Sequence, residues 1–376
     1  MSNIEKSTYL KIEKVYADKF LNFIKKRFGN ERVLDNRRLI LYEEKYVYFP
    51  VDTSQIKKRH IKKIIEGSFQ FELLSKKTRL NPNYRYKTLK DALKERIPKK
   101  FLKKIPNSYD IIGNIAILEF DQFKDSNINI KKQVAESLIN LNNSILSVYE
   151  KKGIVKGIYR LRELELLYGE ENSETIHKEN GCQFKLDVKE TYFSPRLVFE
   201  RKRISDEAFR ENEMIVDMFA GVGTFSIQIA KLNNVLINGF DINPEASKYF
   251  SKNIELNKIV GKITVHNLDV RMLLRSENII GNELKGKADR IIMNLPEKSL
   301  DFIDVACFLM KENGGILHFY QFSEKPHSIE NCITNLKKEL NKSKWDINHI
   351  MNAKVVKAFS PKSDLVVVDL NISPIK

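Results

Sequence analysis

The sequence predicts an α/β protein whose C-terminal half is a doubly wound, mostly parallel sheet. Three observations carry this. From Met214 onward, strand-type runs alternate with helix-type runs, the rhythm of parallel strands joined by crossover helices. Acids stand at the ends of the first three strand-type runs, namely Asp217, Asp241 and Asp269. A glycine turn, Gly221-x-Gly223, follows the first of them.

The elements follow in order. Residues 214–219 predict a strand, Thr224–Lys231 a helix and residues 235–241 a second strand. Pro244–Asn257 predicts a helix, residues 262–269 and 288–296 two strands, and Ser299–Leu309 a helix. Gly314-Gly315 precedes a strand at residues 316–322. At the end, residues 354–360 and 365–371 flank Pro361-Lys362-Ser363-Asp364, a hairpin signal. The prediction is a seven-stranded, mostly parallel sheet with an antiparallel last strand.

Two smaller α/β (α+β) domains precede it. Residues 1–52 predict a strand at 10–15, a helix over Asp18–Phe28 stopped by Gly29-Asn30, and a hairpin around Glu43-Glu44-Lys45. Residues 53–107 are a basic linker opening the second domain, with Lys57, Lys58, Arg59, Lys62 and Lys63 at one end and Lys99, Lys100, Lys103 and Lys104 at the other. The aromatics between them, Phe69, Phe71, Tyr84, Tyr86 and Phe101, read as the apolar stripe of solvated helices. The basic field itself suits nucleic acid. Residues 108–190 predict a strand at Ile111–Leu118, a helix over Lys131–Tyr149, and strands at Val155–Arg162, Thr175–Glu179 and Cys182–Val188. Residues 191–376 then form the cofactor domain.

Composition narrows the function classes. The 376-residue chain is 42% hydrophobic, so it holds material for packed cores. Lys and Arg number 65 against 49 Asp and Glu, a net charge of +16, which points to a polyanionic partner. A lysine-rich or thermophilic background gives the same sum. The three cysteines, Cys182, Cys307 and Cys332, form no CxxC pair, and the six histidines are scattered. That argues against disulfides and a zinc site, and for a reducing compartment. No apolar run approaches the ~20 residues of a membrane span, and the start has no signal-peptide core. The expectation is a cytoplasmic protein that needs neither membrane nor metal.

In such sheets ligands bind beyond the carboxyl ends of the strands. Asp217 and Phe219 lead into Gly221 and Gly223, whose missing Cβ atoms let the backbone approach a ligand. Asp241, about 20 residues on, stands where a ribose-binding acid belongs. Asp269 is the candidate for the adenine amino group. The NAD fingerprint G-x-G-x-x-G is met loosely, with Ser226 at its third position, and Asp217 with Phe219 suits S-adenosylmethionine better. The fourth strand ends in Asn294-Leu295-Pro296. Where related proteins that methylate exocyclic amines carry an aromatic, this chain has Glu297, pointing to another nucleophile such as a ring nitrogen.

Just upstream lies Tyr192-Phe193-Ser194-Pro195-Arg196-Leu197-Val198-Phe199-Glu200-Arg201. With the glycine turn, Asn294-Leu295-Pro296, Ser108–Ala116, Gly157-Ile158-Tyr159-Arg160 and His177-Lys178-Glu179-Asn180-Gly181, it resembles the archaeal and eukaryotic type of tRNA (guanine-N1) methyltransferase. That family modifies the guanine 3′ to the anticodon, at tRNA position 37. The resemblance covers Ser108 to the C-terminus and departs at Thr224, where the family often has proline. It implies a class I, Rossmann-like methyltransferase domain using S-adenosylmethionine. It implies Glu200 as general base and Arg160 as the cation meeting charge on O6. It implies Asn294 and Pro296 as orienting the base, the latter through its carbonyl. It implies Tyr192 as lining the cofactor pocket, with Arg196 and Arg201 organising loop and pocket. To act near pH 7 the Glu200 carboxyl should be raised by burial. The partner implied is tRNA, held at the anticodon region and, by the N-terminal module, at the outer corner; one chain supplies the whole site, so a monomer is expected. Rivals on the same fold are an aminocarboxypropyl transferase acting on a wyosine precursor and a bifunctional enzyme that also methylates carbon 7 of that precursor. An inert tRNA-binding protein is a third.

Overall fold

Strand β1 (Glu5–Glu13) centres a small sheet because it alternates Leu10 and Ile12 inward with Lys11 and Glu13 outward. The computed structural model describes residues 5–28, 33–53, 57–78, 81, 84, 86, 88–94, 96–123 and 127–375. The expected helix stop at Gly29-Asn30 lies outside them. The chain divides into two units, Met1–Asp91 and Ala92–Lys376.

In the first unit, helix α1 (Ala17–Phe28) buries Phe20 and Ile24 against the sheet, and Phe20 meets Phe49 at 4.9 Å. The expected hairpin is present as β2 (Leu41–Tyr42) and β3 (Tyr46–Pro50). The unit continues past residue 52. Helix α2 (Lys58–Ile65) adds Ile61 and Ile65 to the same core, and β4 (Glu72–Thr78) pairs with β1 through Leu10↔Leu73. Sheet order is β2-β3-β1-β4. Phe69 packs on Phe20 and Phe23 at 5.6 and 5.5 Å, while Arg59, Lys62 and Lys63 face solvent, as a solvated helix face with an apolar stripe requires.

A short helical turn at Leu89–Leu93 carries the chain across the boundary, and a second follows at Lys99–Leu102. The apolar run expected as one strand is a tight hairpin, β5 (Asp110–Ile112) and β6 (Ile115–Leu118), turned at Gly113 with φ +56°. The expected helix to Tyr149 is shorter. Helix α3 (Ile128–Leu141) stops where the Asn142 side chain accepts from the Ser144 amide at 3.1 Å, a local bond that competes with helix. The apolar spacing of Ile145 and Val148 belongs instead to the approach and start of β7 (Ser147–Lys156), which runs parallel to β6. The expected strand over Val155–Arg162 is instead the end of β7 and the start of β8 (Leu161–Gly169) with a turn between them, Gly157 at φ +72° and Arg160 at φ +57°. Strands β9 (Glu174–Glu179) and β10 (Cys182–Asp187) form the expected hairpin on Asn180-Gly181, both with positive φ.

Helix α4 (Val198–Ser205) leads into the large sheet. It contains β11 (Glu213–Asp217), α5 (Thr224–Leu232), β12 (Val235–Asp241), α6 (Pro244–Leu256) and β13 (Lys262–Asn267). It continues with α7 (Ile279–Leu284), β14 (Arg290–Met293), α8 (Ile303–Leu309), β15 (Gly315–Glu324) and α9 (Ser328–Lys342), and closes with β16 (Trp345–Ala358) and β17 (Ser363–Pro374). Sheet order is β13-β12-β11-β14-β15-β17-β16. The five strands from β13 to β15 are parallel; β17 is antiparallel to both its neighbours. Parallel strands are covered on both faces, and Ile215, Val216, Ile291, Ile292 and Met293 are fully buried. Among the described residues, no helix is long and apolar enough to cross a membrane.

Candidate active site

The turn after β11 is built around two glycines that the backbone requires. Gly223 caps α5 at φ +87°, and a Cβ there would stand 2.1 Å from the Phe250 ring. Gly221, at φ +56°, has nothing nearer its missing Cβ than the Tyr192 carbonyl at 3.9 Å. The turn is open on the side where Tyr192 passes. Asp241 holds it in place: Oδ2 accepts from the Gly221 amide and Oδ1 from the Asn243 amide, both at 2.8 Å. Burial raises the Asp241 carboxyl against these two stabilising bonds.

Asp217 is 1% exposed. One oxygen accepts from the Ser226 hydroxyl at 2.7 Å, and the other is buried without a partner. Burial, offset in part by Ser226 and reinforced by nearby Asp241, pushes its carboxyl up to about 7. A buried acceptor without a donor next to an open glycine turn fits a ligand that brings one. Asp269 stands two residues beyond β13 rather than ending it; it caps a 3-10 turn, accepting from the Arg271 amide at 2.9 Å. Phe219 lies edge-on to Phe302 at 5.2 Å. The acids and glycines expected to hold a cofactor therefore line the same end of the sheet.

Three segments meet this end. Tyr192 receives the guanidinium groups of Arg160 and Arg162 over its ring, each at 5.4 Å. Arg160 Nη2 donates to Glu297 Oε1 at 3.0 Å, so the β7–β8 turn touches the loop that follows Asn294. In that loop the Asn294 Oδ1 is buried without a partner. The Pro296 carbonyl accepts from the Phe322 amide at 3.0 Å, which uses one of its two lone pairs.

Glu200 lies in the first turn of α4 and is 4% exposed. Its Oε2 accepts from Arg203 Nε at 3.0 Å and has a longer contact from the Tyr320 hydroxyl at 3.4 Å; Lys354 Nζ sits 2.5 Å from Oε1. Burial pushes the Tyr320 hydroxyl well above its ordinary value, so it remains a donor. The register Met293↔Phe319 pairs the strand that leads into the Asn294 loop with β15, which carries Tyr320.

Arg201, expected to organise the loop and the cofactor pocket, lies inside the fold. Its guanidinium is 2% exposed and bonds both oxygens of Glu179, at 2.5 and 2.7 Å, and the Ser194 carbonyl at 3.1 Å. A buried guanidinium needs a counter-charge, and Glu179 supplies it, tying the β9–β10 hairpin to α4. Arg196 donates to Asp110 at 2.7 Å beside Arg162. Burial and then Arg196 lower the ammonium of nearby Lys357.

Several contributors carry no motif. Tyr320 and Lys354 approach Glu200 from β15 and β16, a meeting of distant segments that spacing does not reveal, and Arg203 joins them from one turn on in α4. Asn253 and Asn257 fasten β10 to α6: Asn253 bonds both the amide and carbonyl of Lys185 and the Val222 carbonyl, and Asn257 does the same for Gln183. Their i,i+4 placement on one helix face was the available signal.

Residues 175–348 match the TRM5/TYW2 methyltransferase domain, and residues 89–173 match the TYW2 N-terminal domain. The tRNA (guanine(37)-N(1))-methyltransferase Trm5b of Pyrococcus abyssi is 36% identical over 278 residues, 74% of this chain and 78% of that protein. The chain belongs to the TRM5/TYW2 methyltransferase family. The enzyme of the same name from Methanocaldococcus jannaschii is 35% identical over 342 residues, 89% of this chain and 90% of its own length. A solved complex of aTrm5 and tRNALeu is similar at TM-score 0.69 and 31% identity, covering 98% of this chain and 99% of that one. Within the TRM5/TYW2 family, then, the glycine turn, Glu200 and the Asn294 loop described above belong to a methyltransferase.

Proposed function

We propose that this chain is a tRNA (guanine(37)-N1)-methyltransferase that takes its methyl group from S-adenosylmethionine. The observation that carries the reading is the Arg160–Glu297 contact beside Tyr192. It brings a cation of the β7–β8 turn to the loop holding the unpaired Asn294 oxygen, at the end of the sheet where the glycine turn lies. The names of the relatives agree with this acceptor. The reading places the enzyme in the cytoplasm, acting as a monomer on tRNA without a metal.

S-adenosylmethionine, when bound, supplies an electrophilic methyl group. Gly221 and Gly223 give it backbone room, with Asp217, Asp241 and Asp269 as acceptors and Tyr192 and Phe219 as walls. Guanine N1 carries a proton at neutral pH, so a base must remove it as the new bond forms. Glu200 takes that proton on a carboxylate oxygen. Lys354, 40% exposed, is the partner with freedom to swing away and release Oε1. Loss of the N1 proton moves negative charge to O6, and the Arg160 guanidinium, with donors beyond the one used on Glu297, meets it. Asn294 Oδ1 accepts from the base edge, and the second lone pair of the Pro296 carbonyl does the same. The target base leaves its stack to reach them.

The test is methyl transfer to tRNA transcripts carrying G37 or A37. Transfer to G37 alone, yielding N1-methylguanine, is the expected result; equal labelling overturns the choice of acceptor. Glu200→Gln is expected to slow single-turnover transfer by about 10²–10⁴-fold with S-adenosylmethionine binding retained, and an unchanged rate removes Glu200 as the base. The match of residues 89–173 to the TYW2 N-terminal domain keeps the wyosine-pathway alternative in play. Mass analysis of the product on a wyosine precursor separates methyl from aminocarboxypropyl transfer.

A further inference from the structure

One turn beyond Glu200, a single guanidinium serves three acids. Arg203 Nε donates to Glu200 at 3.0 Å, and Nη1 donates to Glu207 at 3.1 Å and lies 2.7 Å from Asp369 Oδ2. Asp369, on β17, is 1% exposed. Its Oδ1 lies 2.7 Å from His318 Nδ1, and its Oδ2 accepts from Asn352 at 2.8 Å. The other ring nitrogen of His318 faces Arg290 Nη1 at 2.8 Å. A guanidinium only donates, so Nε2 is an acceptor and the ring proton sits on Nδ1, given to Asp369. Burial alone raises the Asp369 carboxyl, but the His318 bond and Arg203 outweigh it and hold it at about 2. Its charge is therefore present whenever the enzyme works.

Among the described residues, the other groups bonded to Glu200 are Lys354 from β16 and the Tyr320 hydroxyl from β15. Arg203 and Lys354 set two cations on one carboxylate that must take up a proton. Arg203 is the one whose charge is already divided.

We propose that Asp369, fixed by His318 and Asn352, is a positioning residue that limits the positive charge Arg203 presents to Glu200 and so keeps Glu200 a competent base. The inference rests on the reading of Glu200 given under the proposed function. It reaches further, because it assigns a role to Asp369, His318 and Asn352, which in that reading touch neither the target guanine nor the methyl donor.

The test is the pH profile of single-turnover methyl transfer by the full chain on a G37 transcript. Arg203→Gln removes a cation and is expected to move the acid limb to higher pH by about one pH unit, while Arg203→Lys leaves it near its original place. Asp369→Asn is expected to move the limb to lower pH and to lower the plateau rate, with KM for tRNA and S-adenosylmethionine unchanged. The opposite signs are a signature that loss of packing does not produce. Arg203 is 24% exposed, so the Gln and Lys pair carries the test if melting shows Asp369→Asn unfolded. Limbs that move together in the Gln and Lys variants, or in the same direction for Arg203→Gln and Asp369→Asn, overturn the inference. If Glu200→Gln is slow in that event, the reading of the base still stands. If Glu200→Gln keeps its rate, the reading of the base falls and the inference falls with it.

Discussion

At the scale of single residues, the site concentrates unfavourable states that binding can relieve. Asp217 is a carboxyl raised to about 7 by burial, against 3.8 for the ordinary group. A raised folded-state value means the native protein holds the proton more tightly than the unfolded chain. The stability this contributes is full below 3.8 and lost as pH rises through about 7. Asp217→Asn is expected to flatten the fall of melting temperature across that window in the free enzyme; an unchanged slope shows that another group causes it. Arg160 is a second case, a non-glycine residue at φ +57°, which costs about 1–2 kcal/mol. Arg160→Gly is expected to raise the unfolding free energy by up to about that amount while slowing methyl transfer, checked by urea unfolding beside single-turnover rates. The identities of Asp217, Gly221, Asp241, Glu200 and Asn294 were legible in the sequence because each sits at a fixed offset from a strand end or within a compact motif. The left-handed turn at Arg160 was not, because Val155–Arg162 alternates like a strand and a positive φ leaves no compositional trace at an arginine.

At the scale of elements, the β9–β10 hairpin was readable because Asn180-Gly181 names its turn. What fastens it was not, because Asn253 and Asn257 look like surface amides until the helix and hairpin are seen together. Asn253 answers two backbone groups of Lys185 and the carbonyl of Val222, inside the glycine turn. Asn253→Ala leaves those buried groups unpaired, at about 1–3 kcal/mol. The expected outcome is a lower melting temperature together with weaker S-adenosylmethionine binding by calorimetry. Stability loss with binding intact separates the hairpin from the cofactor turn. The misread helix over Lys131–Tyr149 teaches the same lesson: Ile145 and Val148 keep helical spacing, but Asn142 ends the helix first with its own side chain.

At the scale of the whole molecule, the sequence divided the chain at 52, 107 and 190, while the strand Glu72–Thr78 carries the first unit on to Asp91. Residue 52 looked like an end because a basic stretch follows it, and the pairing of β4 with β1 crosses some 60 residues of chain, beyond the reach of local patterns. Removing Met1–Asp91, a unit with its own core, is expected to weaken tRNA binding while leaving affinity for S-adenosylmethionine unchanged, measured by filter binding and calorimetry. Loss of both overturns the assignment of tRNA recognition to that unit. The Glu179–Arg201 pair gives the remainder a different heredity. A chimera between two relatives that crosses over near residue 91 keeps Glu179 and Arg201 in one parental piece. One that crosses over at 190 takes Glu179 from one parent and Arg201 from the other, so any change at either position strands a guanidinium inside the fold. Exchange of parts among such proteins is thus channelled to the first junction, and the hairpin and helix α4 pass from parent to offspring as a single inheritance.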